Sequence, residues 1–78
     1  MRTELVRRRN QLEMTHDVIA DKANISRPYY TNIEAGRKDP SFKVMKRIAD
    51  VLETTVDSIF FDQDVPNRNM KSTAIEAN

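Results

Sequence analysis

The side chains with the most chemistry to offer lie close together in the sequence, and they are donors and acceptors, not nucleophiles. The stretch ISRPYYTNIEAGRKDPS, Ile25 to Ser41, holds a guanidinium at Arg27, a hydroxyl at Thr31, an amide at Asn32 and two more cations at Arg37 and Lys38, with Pro28 and Tyr29 between them. Thr15 and His16 stand earlier in the chain. A guanidinium presents a rigid fork of donors, an amide a donor beside an acceptor, and Lys a point charge, so the set suits recognition of a polar, anionic surface. It does not suit bond breaking. His16 is the sole histidine, and the chain has no paired carboxylates in a cleft-forming pattern, no glycine-rich phosphate loop and no metal-ligand spacing. The expectation is a binding protein and not an enzyme, with no cofactor and no metal.

Short helices must position these residues. Thr3 to Leu12 is rich in residues of good helix propensity, with Leu5 and Leu12 on one face. Thr15 is suited to cap a second helix from His16 to about Ala23, with Asp17 in its first turn, the apolar set Val18, Ile19, Ala20 and Ala23 behind it, and Asn24 to stop it in the left-handed conformation. Ser26 caps a third helix, and Pro28 falls in its first turn, where a missing N–H loses no hydrogen bond. Tyr30 and Ile33 share the buried face of this helix while Tyr29, Thr31 and Asn32 point elsewhere, and Gly36 ends it. Ser41 caps a fourth helix whose Met45, Ile48, Ala49 and Leu52 form a regular apolar stripe. Thr55 caps a short fifth, VDSIFF, with Val56, Ile59 and Phe60 turned inward. After Phe61 the apolar period stops. The chain therefore reads as an all-α domain of five helices over residues 1–61 and a polar tail over 62–78, to which any strand would be confined.

Composition narrows the setting. With 78 residues, one glycine and no cysteine, the chain has room for one small domain and neither a disulfide framework nor a thiolate metal site to staple it. No run approaches the roughly 20 apolar residues of a membrane span, and the start MRTELVRRRN lacks the apolar core of a signal peptide. A cytoplasmic location without a membrane partner is expected. The net charge of +1 hides an asymmetry: eleven basic residues face six acidic ones through Arg47, leaving +5, and the remainder carries −4. One end of the molecule is expected to meet a polyanion.

Only NIS separates the second helix from the third, too tight for an ordinary antiparallel hairpin but suited to a helix-turn-helix at a large crossing angle. Small Ala20 permits the close approach, Asn24 makes the turn, and Tyr30 and Ile33 pack back. From Leu5 to Phe60, through MTHDVIADKANISRPYYTNIEAG, then DPS, then IADVLETTVDSIF, the sequence resembles the Cro and phage-repressor type helix-turn-helix family, also called the XRE family. The resemblance implies five helices, with the third as recognition helix in the major groove of double-stranded DNA. It departs from the family at Glu13 and Asn24, where relatives usually carry Gly; at His16, which replaces a phosphate-touching Gln; and at Pro28, where many relatives carry a polar base-reading side chain.

On this resemblance Arg27 is the leading base reader, able to make bidentate bonds to guanine, and Asn32 can pair with adenine. Thr31 and Tyr29 are further candidates, Tyr29 having the second reading of a core cover, and Pro28 offers a thymine methyl only an apolar contact. Thr15, His16, Arg37 and Lys38 are placed for phosphate contacts near the helix starts. In relatives the arginine matching Arg9 pairs with the glutamate matching Glu34, so a structural ion pair is expected here. Relatives of this kind often dimerise through the last helix. That implies a homodimer using Val56, Ile59 and Phe61, its two recognition helices about 34 Å apart. The resulting expectation is a dimeric repressor reading a short inverted repeat. The alternative is an antitoxin-like interaction module whose tail DQDVPNRNMKSTAIEAN folds onto a partner protein.

Overall fold

The computed structural model describes residues 1–61: helices α1 (Thr3–Gln11), α2 (His16–Ala23), α3 (Arg27–Ala35) and α4 (Phe42–Val51), then a π-helical turn (Asp57–Phe61). There is no strand among the described residues. The polar tail over 62–78, and the partner binding that the alternative reading gives it, lie outside them.

Hydroxyls open the elements after α1. Thr15 Oγ1 accepts from Val18 N at 3.2 Å, Ser26 Oγ from Tyr29 N at 3.1 Å, Ser41 Oγ from Val44 N at 3.3 Å and Thr55 Oγ1 from Ser58 N at 3.2 Å. Each such cap typically contributes about 1 kcal/mol. The C-termini are equally uniform. In all four α-helices a residue with positive φ turns the chain, at Glu13 (56°), Asn24 (62°), Gly36 (85°) and Glu53 (57°). The next amide then reaches back five residues, in Met14 to Arg9 O, Ile25 to Ala20 O, Arg37 to Asn32 O and Thr54 to Ala49 O. This is the Schellman closure, which satisfies carbonyls that a helix end would otherwise orphan.

Two of the four left-handed positions are thus held by glutamate. A non-glycine residue there costs about 1 kcal/mol, partly offset because glycine loses more chain entropy on folding. Glu13→Gly and Glu53→Gly are each expected to stabilise the domain by about 0.5 kcal/mol. Urea titrations of the single and double variants check this, with a lowered midpoint counting against the assignment.

α2 packs against α3 and α4, and α1 against the π turn. The core between them is Leu5, Ile19, Ala20, Ala23, Tyr30, Ile33, Ile48, Ala49, Leu52, Ile59 and Phe60. Val18, expected on the inward set of α2, is 41 % exposed because its neighbours Ile19 and Ala20 take the inward face. The short fifth helix expected is present as a π-helical turn, and within it Ile59 and Phe60 are buried while Val56, just before it, is half-buried. Ile59, expected at a dimer surface, is 2 % exposed and part of the core, so it has no face left for a second copy.

Arginines from distant positions bind the helix ends. Arg2 Nε donates to Ile33 O at 2.8 Å, its Nη2 reaches Asp39 Oδ1 at 2.6 Å, and its guanidinium lies over the Phe60 ring at 5.3 Å. Arg8 Nε donates to Leu52 O at 2.8 Å, and Arg47 Nη1 to Ala23 O at 3.5 Å. Cations at helix C-termini complement the macrodipole, so α2, α3 and α4 are each closed by charge as well as by a turn. The charge asymmetry therefore overstates the cationic face: Arg2, Arg8 and Arg9 are engaged inside the fold. Among the described residues no helix is long and apolar enough to cross a membrane.

Candidate nucleic-acid interface

The N-termini of α2 and α3 converge on one side of the molecule. A shallow groove there is lined by Arg9, Thr15, His16, Asp17 and Arg27. Thr15 is exposed, and with its oxygen occupied by the cap to Val18 N, its hydroxyl hydrogen is left to donate outward. Arg27, the first residue of α3, is an exposed cation whose Nε lies 3.7 Å from Asp17 Oδ1, a surface pair too solvated to hold it firmly. Pro28 is exposed beside it, and Tyr29 is half-buried against the edge of the core, so it covers the core while keeping one side outward.

Further along α3, Asn32 Oδ1 accepts from Arg37 Nε at 2.9 Å. The amide and the guanidinium orient each other, and the Asn32 amide nitrogen is left as the outward donor. Lys38 follows, its side chain exposed, as is that of Lys43 on α4. Arg27 at the start of α3 and Arg37 and Lys38 just beyond its end are thus exposed cations, with Thr31 and Asn32 on the helix between them.

His16 is placed differently from the phosphate contact expected of it. Its ring turns inward: Nδ1 is 2.9 Å from Thr31 Oγ1, Nε2 is 3.1 Å from Glu34 Oε1, and the ring meets Tyr30 edge-on at 5.2 Å. With both nitrogens engaged, none remains for a phosphate.

Glu34 is the hub of this arrangement. Its carboxylate, on α3 and 7 % exposed, takes Arg9 Nε at 2.6 Å and Tyr30 Oη at 2.7 Å on one oxygen, and Arg9 Nη2 at 3.3 Å and His16 Nε2 at 3.1 Å on the other. Arg9 also donates to Met14 O at 2.9 Å, fastening the α1–α2 turn. Burial acts to raise the Glu34 carboxyl, yet the hydrogen bonds from Arg9 and Tyr30 outweigh it and hold the group below the ordinary carboxylate range. The bond to Glu34 raises Arg9 further, while burial first and the Glu34 bond second push the Tyr30 phenol well above its usual value. Three helices are thus pinned by one ionised, fully hydrogen-bonded carboxylate on α3.

Of the residues placed at a dimer surface by the resemblance, Phe61 is 48 % exposed, Val56 half-buried and Ile59 buried. Sequence reasoning missed Asp17 as the partner of Arg27. The available signal was that a helix-turn-helix brings its two helix starts together, so charges in both first turns should have been compared. It also missed the Tyr30 hydroxyl, which sits four residues before Glu34 and hence within reach of it on the same helix.

The model of a family described as helix-turn-helix, HTH_3, matches residues 5–59. The chain is also similar to two proteins of Bacillus subtilis (strain 168), each an uncharacterized HTH-type transcriptional regulator. With YqaF it is 38 % identical over 77 residues, covering 95 % of this chain and 99 % of that protein. With YqaE it is 37 % identical over 49 residues, covering 63 % of this chain and 42 % of that protein, so it spans less than half the length of YqaE. No solved structure gives a significant match.

Proposed function

Because the chain belongs to the helix-turn-helix family HTH_3, we propose that it is a cytoplasmic, sequence-specific DNA-binding transcriptional regulator, a dimeric repressor that reads a short inverted repeat in double-stranded DNA through α3. One observation carries the reading: Arg27 and Pro28 at the start of α3 are exposed and Thr31 and Asn32 half-buried beyond them, while Glu34 on the same helix pins it to α1 and α2 through Arg9 and His16. A rigid helix with polar side chains along its outer side is what the major groove admits, and bases are told apart there by paired donors and acceptors. In this reading Arg27 and Asn32 read base edges. Pro28, Tyr29 and Thr31 shape the contact, and Thr15, Arg37 and Lys38 hold phosphates. YqaF and YqaE, each named as an HTH-type transcriptional regulator, support the regulator part of this reading.

The test is a gel-shift titration on DNA upstream of the protein's own gene, beside a scrambled duplex of the same length, at two salt concentrations. Tight binding to the native duplex alone supports the reading. Equal and steeply salt-dependent binding to both reduces the protein to a phosphate binder and refutes sequence-specific regulation at that site.

Dimerisation is proposed through Phe61 with the outer edge of Val56. Phe61→Asp is expected to leave the melting temperature nearly unchanged and to convert a dimer to a monomer in sedimentation, with weaker binding to a two-half-site duplex. A wild-type protein that sediments as a monomer at micromolar concentration and on the duplex would remove the dimer from the proposal.

A further inference from the structure

The two bonds made by the His16 ring are not equivalent. Nε2 faces Glu34 Oε1 at 3.1 Å, and an ionised carboxylate can only accept, so Nε2 keeps its hydrogen whether the ring is neutral or charged. The ring can therefore gain or lose a proton only at Nδ1, which lies 2.9 Å from Thr31 Oγ1. When Nδ1 is bare, the Thr31 hydroxyl must donate to it, and only the lone pairs of Oγ1 are left for an outside group. When Nδ1 carries a proton, it donates to Oγ1, and the hydroxyl hydrogen is freed to turn outward.

Thr31 is half-exposed and stands one helical turn after Arg27, on the same side of α3. We infer that His16 is a positioning residue that sets whether Thr31 offers DNA a hydrogen-bond acceptor or a hydrogen-bond donor. The inference rests on the reading of α3 as the DNA-reading helix. Its chemical consequence is a choice of base. A Thr31 acceptor suits the amino groups of adenine or cytosine, and a Thr31 donor suits guanine O6 and N7 or thymine O4.

The charged and titratable groups around His16 leave this exchange to Thr31. Glu34 and Tyr30 face the ring from α3, Arg9 comes from α1, Arg27 lies at the start of α3, and Asp17 is on the ring's own helix. Arg9 and Tyr30 direct their donors at Glu34, and Asp17 lies against Arg27. Thr31 is the group at hydrogen-bond distance from Nδ1.

Two measurements on the full chain test the inference. In the free protein, long-range nitrogen–proton NMR of the His16 ring should show the neutral form with its hydrogen on Nε2; a neutral ring protonated on Nδ1 overturns the proposal without any DNA. With DNA, a pool of random-sequence duplexes is selected at about pH 5.5 and about pH 8, the interval in which histidines commonly change charge. Wild type should exchange its preferred base at one position of each half-site, changing relative affinity about three- to tenfold, the range of one hydrogen bond. Thr31→Val, checked for an unchanged melting temperature at both pH values, should lose that exchange and keep the rest of the site. An exchange that persists in Thr31→Val, or no exchange in wild type, refutes the role of His16 while leaving sequence-specific binding intact. A pool from which no preferred sequence emerges at either pH refutes the DNA-reading assignment itself, and this inference with it.

Discussion

Arg9→Ala is expected to lower the stability of the domain by about 3 kcal/mol, because it strands the Glu34 carboxylate in a nearly buried site without its main partner. For a domain of this size that is on the order of 15 °C in melting temperature. The pair is not the kind of exposed ion pair that adds little, since both side chains are largely shielded and the fork meets both carboxylate oxygens. Glu34→Gln keeps the shape and removes the charge. It places an amide donor among donors from Arg9, Tyr30 and His16, so it is expected to be nearly as damaging. Thermal melts followed by circular dichroism at neutral pH check both variants, and a loss under about 1 kcal/mol in each would show that the network adds little beyond packing.

The same network fixes the sign of the pH dependence. Glu34 has a folded-state value below its ordinary 4.5, so its contribution is fully present above that value and is lost as pH falls through the folded-state value. Tyr30 has a folded-state value above its ordinary 10.0, so its contribution is fully present below 10.0 and is lost as pH rises toward the folded-state value. The midpoint of unfolding should fall away at both extremes. In Glu34→Gln the acid-side fall attributable to this carboxyl should disappear, and in Tyr30→Phe the alkaline-side fall should disappear.

The second large effect is expected in DNA binding and separates two kinds of cation. Arg27→Ala should cost about 1 to 3 kcal/mol against the preferred base pair and little against its alternatives, so discrimination at that position falls by about five- to 150-fold. Lys38→Ala should weaken binding to all duplexes alike and reduce the slope of log affinity against log salt by about one. Titration of both variants on the preferred duplex and on single-base changes of it, at two salt concentrations, checks the distinction. Should Arg27→Ala behave like Lys38→Ala, Arg27 is a phosphate contact and the reading face must be sought at Asn32 and Thr31.

Much of the scaffold is legible in the sequence. Thr15, Ser26 and Ser41 cap helices because their hydroxyls reach amides three residues on, and Pro28, Asn24 and Gly36 sit where local backbone energy favours them. These are contests decided within one turn of chain, so a linear sequence contains both sides of each. Glu13 and Glu53 mark the edge of that legibility. They carry the same left-handed turn as Gly36 without the residue that announces it, because the closing hydrogen bonds and the packing of Leu12 and Leu52 compensate the backbone.

Other assignments belonged to the tertiary structure alone. Arg2, Arg8 and Arg47 look in sequence like cations for a polyanion, and they end on carbonyls of Ile33, Leu52 and Ala23 at the far ends of other helices. His16 looks like a phosphate contact and is turned toward Thr31 and Glu34. Ile59 and Phe61 lie two residues apart, and only the packing of the π turn on α1 decides that the first is core and the second surface. Long side chains reach partners set by the fold and not by the neighbouring residues, so their free energies are nonlocal. Local chemistry sets where helices begin and, at Asn24 and Gly36, where they turn; the packing between helices decides which charges hold the fold together and which are left to meet another molecule.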